Sequence, residues 1–120
     1  MSQARPKQWE PPADMDPECI DLCTAMNGWG AIRTTDSCCG HGKNPYRVFF
    51  MSESLEDLPP LLYYFDACHT GCPGWRVIVY TDCLMSSARF MLEGPVGEEA
   101  YAASKVIAKC IDGYFGDPDV

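Results

Sequence analysis

No run in this 120-residue sequence is apolar for long enough to cross a bilayer. The opening residues, MSQARPKQWEPPADMD, are polar and proline-containing, so no secretory leader is expected and a cytoplasmic setting is. Cations are scarce. Nine Lys and Arg stand against 17 Asp and Glu, for a net charge of −8 and a pI near 4.5. That balance argues against broad, salt-driven binding to a phosphate backbone. Neither a long nucleic acid nor a membrane is expected as partner. A local basic pocket built from Arg33, Lys43, Arg47, Arg76 or Arg89 stays open. Two fingerprints are missing as well: no cysteine pair has CxxC spacing, and no strand leads into a GxGxxG turn.

What the chain does have is a core-forming composition, 47% hydrophobic and 12% aromatic, and eight cysteines. One compact domain is expected. In a reducing compartment the cysteines are thiols, buried fillers or ligands rather than a disulfide framework.

Residues 1–14 read as a flexible arm in which Trp9 alone has the character to dock on the body. Asp16-Pro17 predicts a helix start, a capping carboxylate before a proline at the first helical position. Ile20, Cys23 and Met26 are its expected core face, and Asn27-Gly28 its end. A short strand at Ala31–Thr34, a glycine-rich loop over 35–45 and a strand at Tyr46–Met51 follow. Pro59-Pro60 opens a second helix. WRVIVYT, Trp75–Thr81, is nearly continuous in apolar residues and predicts a central strand, with Arg89–Glu93 its hairpin partner. A last helix follows Pro95, with Val96, Ala100, Ala103, Ile107, Cys110 and Tyr114 as its apolar stripe. The expectation is a single α+β domain over residues 15–115, ordered α-β-β-α-β-β-α with a mainly antiparallel sheet, and a tail over 116–120. Gly28-Trp29 before Thr35-Asp36, and Gly74-Trp75 before Thr81-Asp82, hint at an internal pseudo-repeat. If real, it brings two Thr-Asp corners together.

The chemistry concentrates in TTDSCCGHG, Thr34–Gly42. Gly40 and Gly42 bracket His41, so the backbone can turn sharply there. Thr34, Thr35, Asp36 and Ser37 supply polar side chains, and successive amides in such a turn can hold an anion, with Lys43 and Arg47 as counter-charge. A phosphate, carboxylate or nucleotide-like anion is the ligand it would hold, completed across the repeat by His69, Thr81 and Asp82. The alternative is a structural loop in which Asp36 and Ser37 satisfy their own backbone. A metal reading takes Cys38, Cys39 and His41 together with Cys68, His69 and Cys72, with zinc as the ion and Cys19-x-x-x-Cys23 as a further pair. A nucleophilic reading pairs Cys38 or Cys39 with His41 or His69, oriented by Asp36, Asp66 or Asp82.

Arg33-Thr34-Thr35-Asp36-Ser37-Cys38-Cys39-Gly40-His41, preceded by Asn27 and followed by a strand, resembles the Thr-Thr-Ser-Ser-Cys-Ser-Gly-Arg segment of the wybutosine-synthesis tRNA methyltransferase family. Asp36 and Cys39 stand where that segment has serines, and His41 where it has arginine. The resemblance implies an α/β setting and S-adenosylmethionine-dependent chemistry on tRNA. The chain also resembles small uncharacterised phage and bacterial proteins with a Ser-Cys-x-Gly-His loop, through Phe65-Asp66-Ala67-Cys68-His69 and Gly74-Trp75-Arg76-Val77. That likeness covers most of the chain and implies a compact fold with no established activity. The expectation drawn from all of this is a small, non-enzymatic binding protein for a nucleotide-like anion, of a kind a phage could use to sequester a nucleotide signal. A homodimer would help enclose such a ligand. The competing expectations are a tRNA- or nucleotide-modifying enzyme and a zinc-stabilised protein–protein adaptor.

Overall fold

In a computed structural model, residues 9–29, 32–53, 56, 58–80 and 88–114 are described. The chain runs α1 (Pro17–Asn27), β1 (Ile32–Cys38), a 3₁₀ turn (Gly40–Gly42), β2 (Pro45–Ser52), α2 (Leu58–Tyr63), α3 (Ala67–Thr70), β3 (Arg76–Tyr80), β4 (Ala88–Val96) and α4 (Glu98–Tyr114). The expected α+β order holds, with the second helix split into two short ones. No helix among the described residues is long and apolar enough to cross a membrane.

The sheet is wholly antiparallel, ordered β1-β2-β4-β3. Alternation decides its two faces. Tyr46, Val48, Phe50 and Ser52 of β2 are buried, as are Phe90 and Leu92 of β4. They form the core with Cys19, Leu22, Cys23 and Met26 of α1 and Ala100, Ile107 and Ile111 of α4. The intervening residues Arg47, Phe49 and Met51, with Arg89, Met91 and Glu93, face the other way and remain part-exposed. Among the described residues, no helix covers that second face.

Three sequence expectations change. The run from Trp75 is an edge strand, not a central one; β3 pairs with β4, and Val79 is 63% exposed. The centre belongs to β2 and β4, whose apolar pattern is broken by the arginines and glutamate of the open face. On α4 the buried stripe is Ala100, Ser104, Ile107, Ala108 and Ile111. Ala103 and Cys110 are only half-buried, and Val96 ends β4, exposed. Ser104 can sit on the buried side because its Oγ donates to Tyr101 O at 2.7 Å. On α1, Cys19 and Leu22 join Cys23 and Met26 inside, and Ile20 is half-buried.

The sheet register also bears on the expected meeting of two Thr-Asp corners. Cys38, at the end of β1, shares a row with Arg47, Glu93 and Arg76. Tyr80, at the end of β3, shares one with Arg89, Met51 and Arg33. The two strands therefore end at opposite ends and opposite edges of the sheet, which runs against a cavity shared by the corners that follow them. Thr81 and Asp82 themselves lie outside the described residues, and with them the second copy of the pseudo-repeat.

Candidate metal centre and adjoining groove

The corner after β1 is built from three separate constraints. The first is Asn27, expected to close α1 through a left-handed residue. Instead the chain leaves α1 through Gly28 in right-handed geometry, and Asn27 is fully buried. Its Oδ1 accepts the Thr34 N–H at 3.0 Å, and its Nδ2 donates to Thr34 Oγ1 and to Cys23 O, both at 2.7 Å. One amide thus ties the end of α1 to β1.

The second constraint is a bulge between Thr34 and Asp36. After it, Asp36 lies opposite Phe49, Ser37 opposite Val48 and Cys38 opposite Arg47. Paired residues share a face, so Thr34 and Ser37 point toward the core, and Asp36 and Cys38 toward the open side. Much of the expected loop is therefore strand. The true turn is Cys39–Gly42.

The third is a left-handed backbone at three successive residues, Gly40 (φ +81°), His41 (φ +53°) and Gly42 (φ +79°). Glycine takes this at little cost; histidine costs about 1 kcal/mol. A side chain at Gly40 would also meet Pro45 O at 3.0 Å. The turn folds His41 back over the chain. Its Nδ1 lies 3.7 Å from Cys39 Sγ, and its Nε2 lies 3.9 Å from Asp16 Oδ2.

Asp16 is the residue that sequence reasoning assigned a different task. Its backbone sits at the helix-start position, but its carboxylate makes no hydrogen bond to its own helix. Oδ2 accepts the Cys39 N–H at 3.0 Å, 23 residues away. That donated hydrogen bond is the main reason the Asp16 carboxyl lies below its ordinary range, with burial pulling the other way and His41 adding to the lowering. Asp16, Cys38 and His41 each place a ligand atom within 4.8 Å of the other two. Carboxylate oxygen, thiolate sulfur and imidazole nitrogen is a donor set that suits zinc and its borderline-soft neighbours.

Cys39 takes no part in that triad. It is buried, its thiol is pushed up by desolvation, and its Sγ accepts the His41 N–H at 3.4 Å. Cys38 Sγ accepts the Gly40 N–H at 3.4 Å. The adjacent thiols thus split, one inward and one toward Asp16 and His41. Cys19 and Cys23 lie inside the core, where burial pushes their thiols up to about 11 and about 12. Buried thiols held protonated are packing groups and not nucleophiles. The described cysteines Cys19, Cys23, Cys38, Cys39, Cys72 and Cys110 are free thiols.

Met15 and Ser37, the chain neighbours of Asp16 and Cys38, line a groove of about 320 Å³, which none of the three triad residues lines. One wall is Thr34, Thr35, Asp36 and Ser37; the other is Trp9, Pro12, Asp14 and Met15 from the segment before α1. Four consecutive residues nominated from sequence therefore line one cavity. Asp36 also caps its own turn, accepting the Ser37 N–H at 2.8 Å, and Thr35 Oγ1 donates to Phe49 O at 3.3 Å. Trp9 packs at the edge of the core, as its aromatic character suggested. Among the described residues, no Lys or Arg lines this groove. Arg47, expected beside it, lies on the open sheet face, where its Nε donates to Glu93 Oε2 at 3.1 Å.

The second cysteine–histidine run goes elsewhere. His69 stacks on the Tyr63 ring with centroids 3.4 Å apart, and its Nδ1 is 4.0 Å from Asp66 Oδ2. Cys72 is buried, with Sγ near Thr70 O at 3.6 Å and Ala103 O at 4.0 Å. Neither His69 nor Cys72 joins the metal-ligating cluster found among the described residues, and the Cys68 side chain lies outside them. Asp16, Asn27, Asp14 and Trp9 complete the site that the sequence did not assemble. Their only sequence signal was local, a helix start, a helix end and one aromatic in a polar arm. No family model, no curated protein and no solved structure matches the chain.

Proposed function

We propose that this protein is a small metal-dependent binding module. A zinc-class ion sits on Asp16, Cys38 and His41, and a nucleotide-like ligand lies in the adjoining groove. The observation that carries the reading is the convergence of three ligand atoms of different chemistry within 4.8 Å, contributed by the start of α1, the end of β1 and the 3₁₀ turn. Three protein ligands leave a fourth position on a tetrahedral ion open. The groove offers groups a nucleoside can use: an indole face at Trp9, hydroxyls at Thr34, Thr35 and Ser37, and the Asp14 carboxylate, which accepts hydrogen bonds from ribose or a base edge. Among the described residues its lining has no Lys or Arg, and a bound ion would offer a counter-charge for a phosphate. Sequestration of a nucleotide signal is a use that fits these parts.

The test is elemental analysis of protein purified without chelator, followed by thermal denaturation with and without nucleotides. Stoichiometric zinc is expected, together with nucleotide-induced stabilisation that disappears after chelation. A metal-free protein that no nucleotide stabilises sinks the reading. Recovery of unchanged nucleotide after heat denaturation supports binding, and a converted nucleotide supports the enzyme alternative.

A second reading, a zinc-stabilised adaptor, draws on the hydrogen bond from Cys39 N–H to Asp16. An ion beside that link clips α1 to the β1–β2 turn and has a purely structural effect. It predicts zinc and metal-dependent melting with no nucleotide response.

A further inference from the structure

The open face of the sheet has an ordered pattern that extends away from the metal centre, whose Cys38 ends one of its rows. One cross-strand row reads Arg33, Met51, Arg89; the next Phe49, Met91, Ile78; the next Arg47, Glu93, Arg76. An apolar stripe of Phe49, Met91, Ile78 and Met51 is thus framed by four of the chain's five arginines. None of the four apolar residues belongs to the core cluster or packs against it. Glu93 lies between two arginines. Arg76 donates to its Oε1 at 2.9 and 2.7 Å, and Arg47 donates to Oε2 at 3.1 Å. That double pairing holds the Glu93 carboxyl below its ordinary range, Arg76 contributing most, and fixes both guanidinium groups on the sheet. Arg33 is held similarly by Glu53 at 3.1 Å. Among the described residues, Asp36, Glu53 and Glu93 stand against the four arginines on this face, whereas the chain as a whole carries a net charge of −8.

Composition separates the partner classes. Arginine, methionine and an aromatic, with no lysine, is the mixture that protein–protein interfaces enrich. Methionine adapts to the shape of an incoming side chain. The three lysines of the described residues, Lys43, Lys105 and Lys109, all lie off this face. Packed against a second copy of itself, the face would set arginine rows against arginine rows, which disfavours that occupant.

We propose that the open face of the β-sheet docks a protein segment in which apolar side chains are flanked by carboxylates, the apolar groups resting on Phe49, Met91 and Ile78 and the acids reaching Arg33, Arg47, Arg76 and Arg89. The contacts proposed here use none of the three metal ligands and no groove residue, so they are tested apart from the metal and nucleotide reading.

The probe is a fluorescein-labelled peptide carrying one leucine and one phenylalanine among aspartates and glutamates, titrated with the full chain and read by anisotropy. Saturable binding that weakens with salt is expected, and a lysine-substituted version of the peptide should not bind. Amide shifts on peptide addition should cluster at Phe49, Met51, Ile78 and Met91. Arg76→Glu and Ile78→Ser should each weaken binding by roughly tenfold. The second variant, at a part-exposed edge position, keeps the test intact if the first fails to fold. The proposal is overturned by absence of saturable binding, by shifts confined to other surfaces, by displacement of the peptide by a single-stranded oligodeoxynucleotide, or by self-association that Arg76→Glu abolishes.

Discussion

Two short segments carry the same chemistry to different ends. Cys38-Cys39-Gly40-His41 and Cys68-His69-Thr70-Gly71-Cys72 both offer cysteines, a histidine and a glycine within five residues. The first meets Asp16 and forms a ligand cluster; the second stacks its histidine on Tyr63 and buries Cys72 against α4. The difference lies in the backbone. In the first segment three successive positive φ angles turn the imidazole back toward a distant carboxylate. In the second, Cys68 and His69 ride on the short helix α3, which aims His69 along the surface toward its own preceding turn. Ligand types are written in both segments, and only one has a backbone that makes them converge.

The largest effect that tests this contrast is on metal affinity. Cys38→Ser or His41→Ala should lower zinc affinity by at least about a hundredfold, since even outer-shell changes cost 10–100-fold at such sites. His69→Ala and Cys72→Ser should leave it within about twofold. A competition titration against a chromophoric chelator measures both. Equal losses in the two segments would mean that they share one ion and that the observed separation is not the metal-bound arrangement.

Next in size is the bracket that holds the first segment in place. Asn27→Ala removes three hydrogen bonds and leaves the Thr34 N–H without its buried acceptor, which should cost about 2–4 kcal/mol. Thr70→Ala, at the equivalent support of the second segment, removes an exposed hydroxyl bond to Asp66 O and the acceptor of the Cys72 N–H at 3.3 Å, and should cost about 1 kcal/mol. Urea denaturation of both variants compares them directly. Similar losses would contradict the central place given to Asn27.

That pair also marks what the sequence could reveal. Asn27, Gly40, Gly42 and the acidic helix start at Asp16 were all visible, because each has a local propensity that depends only on near neighbours. The order of elements followed for the same reason. Their use did not follow. Asp16 bonds Cys39 and Asn27 bonds Thr34, and such contacts depend on how α1 crosses β1, which no window of local periodicity encodes. The placement of β3 at an edge was hidden for a related reason. A run of apolar residues looks central when both faces of a sheet are covered, whereas here one face is open and the true centre carries Arg47, Arg89 and Glu93. The groove was half legible: Thr34–Ser37 announced themselves by composition, while Trp9, Asp14 and Met15 needed the fold.

A smaller effect separates the glycines. Gly40→Ala combines positive φ with a contact to Pro45 O at 3.0 Å. Gly71→Ala has φ +72° but open space around the added carbon. The second should cost about 1–2 kcal/mol from backbone conformation alone, and the first should exceed it. Thermal melts resolve the order. If Gly71→Ala proved the more damaging, the tight 3₁₀ turn would not be the constraint that aims His41.

The smallest expected effect is electrostatic, and it compares the two lowered carboxyls, Asp16 and Glu93. Asp16 is lowered chiefly by one backbone amide, Glu93 chiefly by Arg76 with Arg47 behind it. In both, the folded pKa lies below the unfolded one. The stabilisation is therefore complete above the ordinary carboxylate range and is lost as pH falls through the folded value, below 3.8 for Asp16 and below 4.5 for Glu93. Asp16→Asn and Glu93→Gln should each flatten the acid limb of the stability curve, measured as melting temperature between neutral pH and pH 2. Salt then distinguishes them. Both arginines are substantially exposed, 42% for Arg47 and 68% for Arg76, so the Glu93 contribution should shrink as ions screen it. The amide of Cys39 carries no net charge and sits against a half-buried carboxylate, so the Asp16 contribution should persist. If salt erased the Asp16 effect as fully as that of Glu93, the carboxylate would be held by His41 rather than by the turn, and the ligand cluster would owe its shape to an ion pair instead of to the backbone.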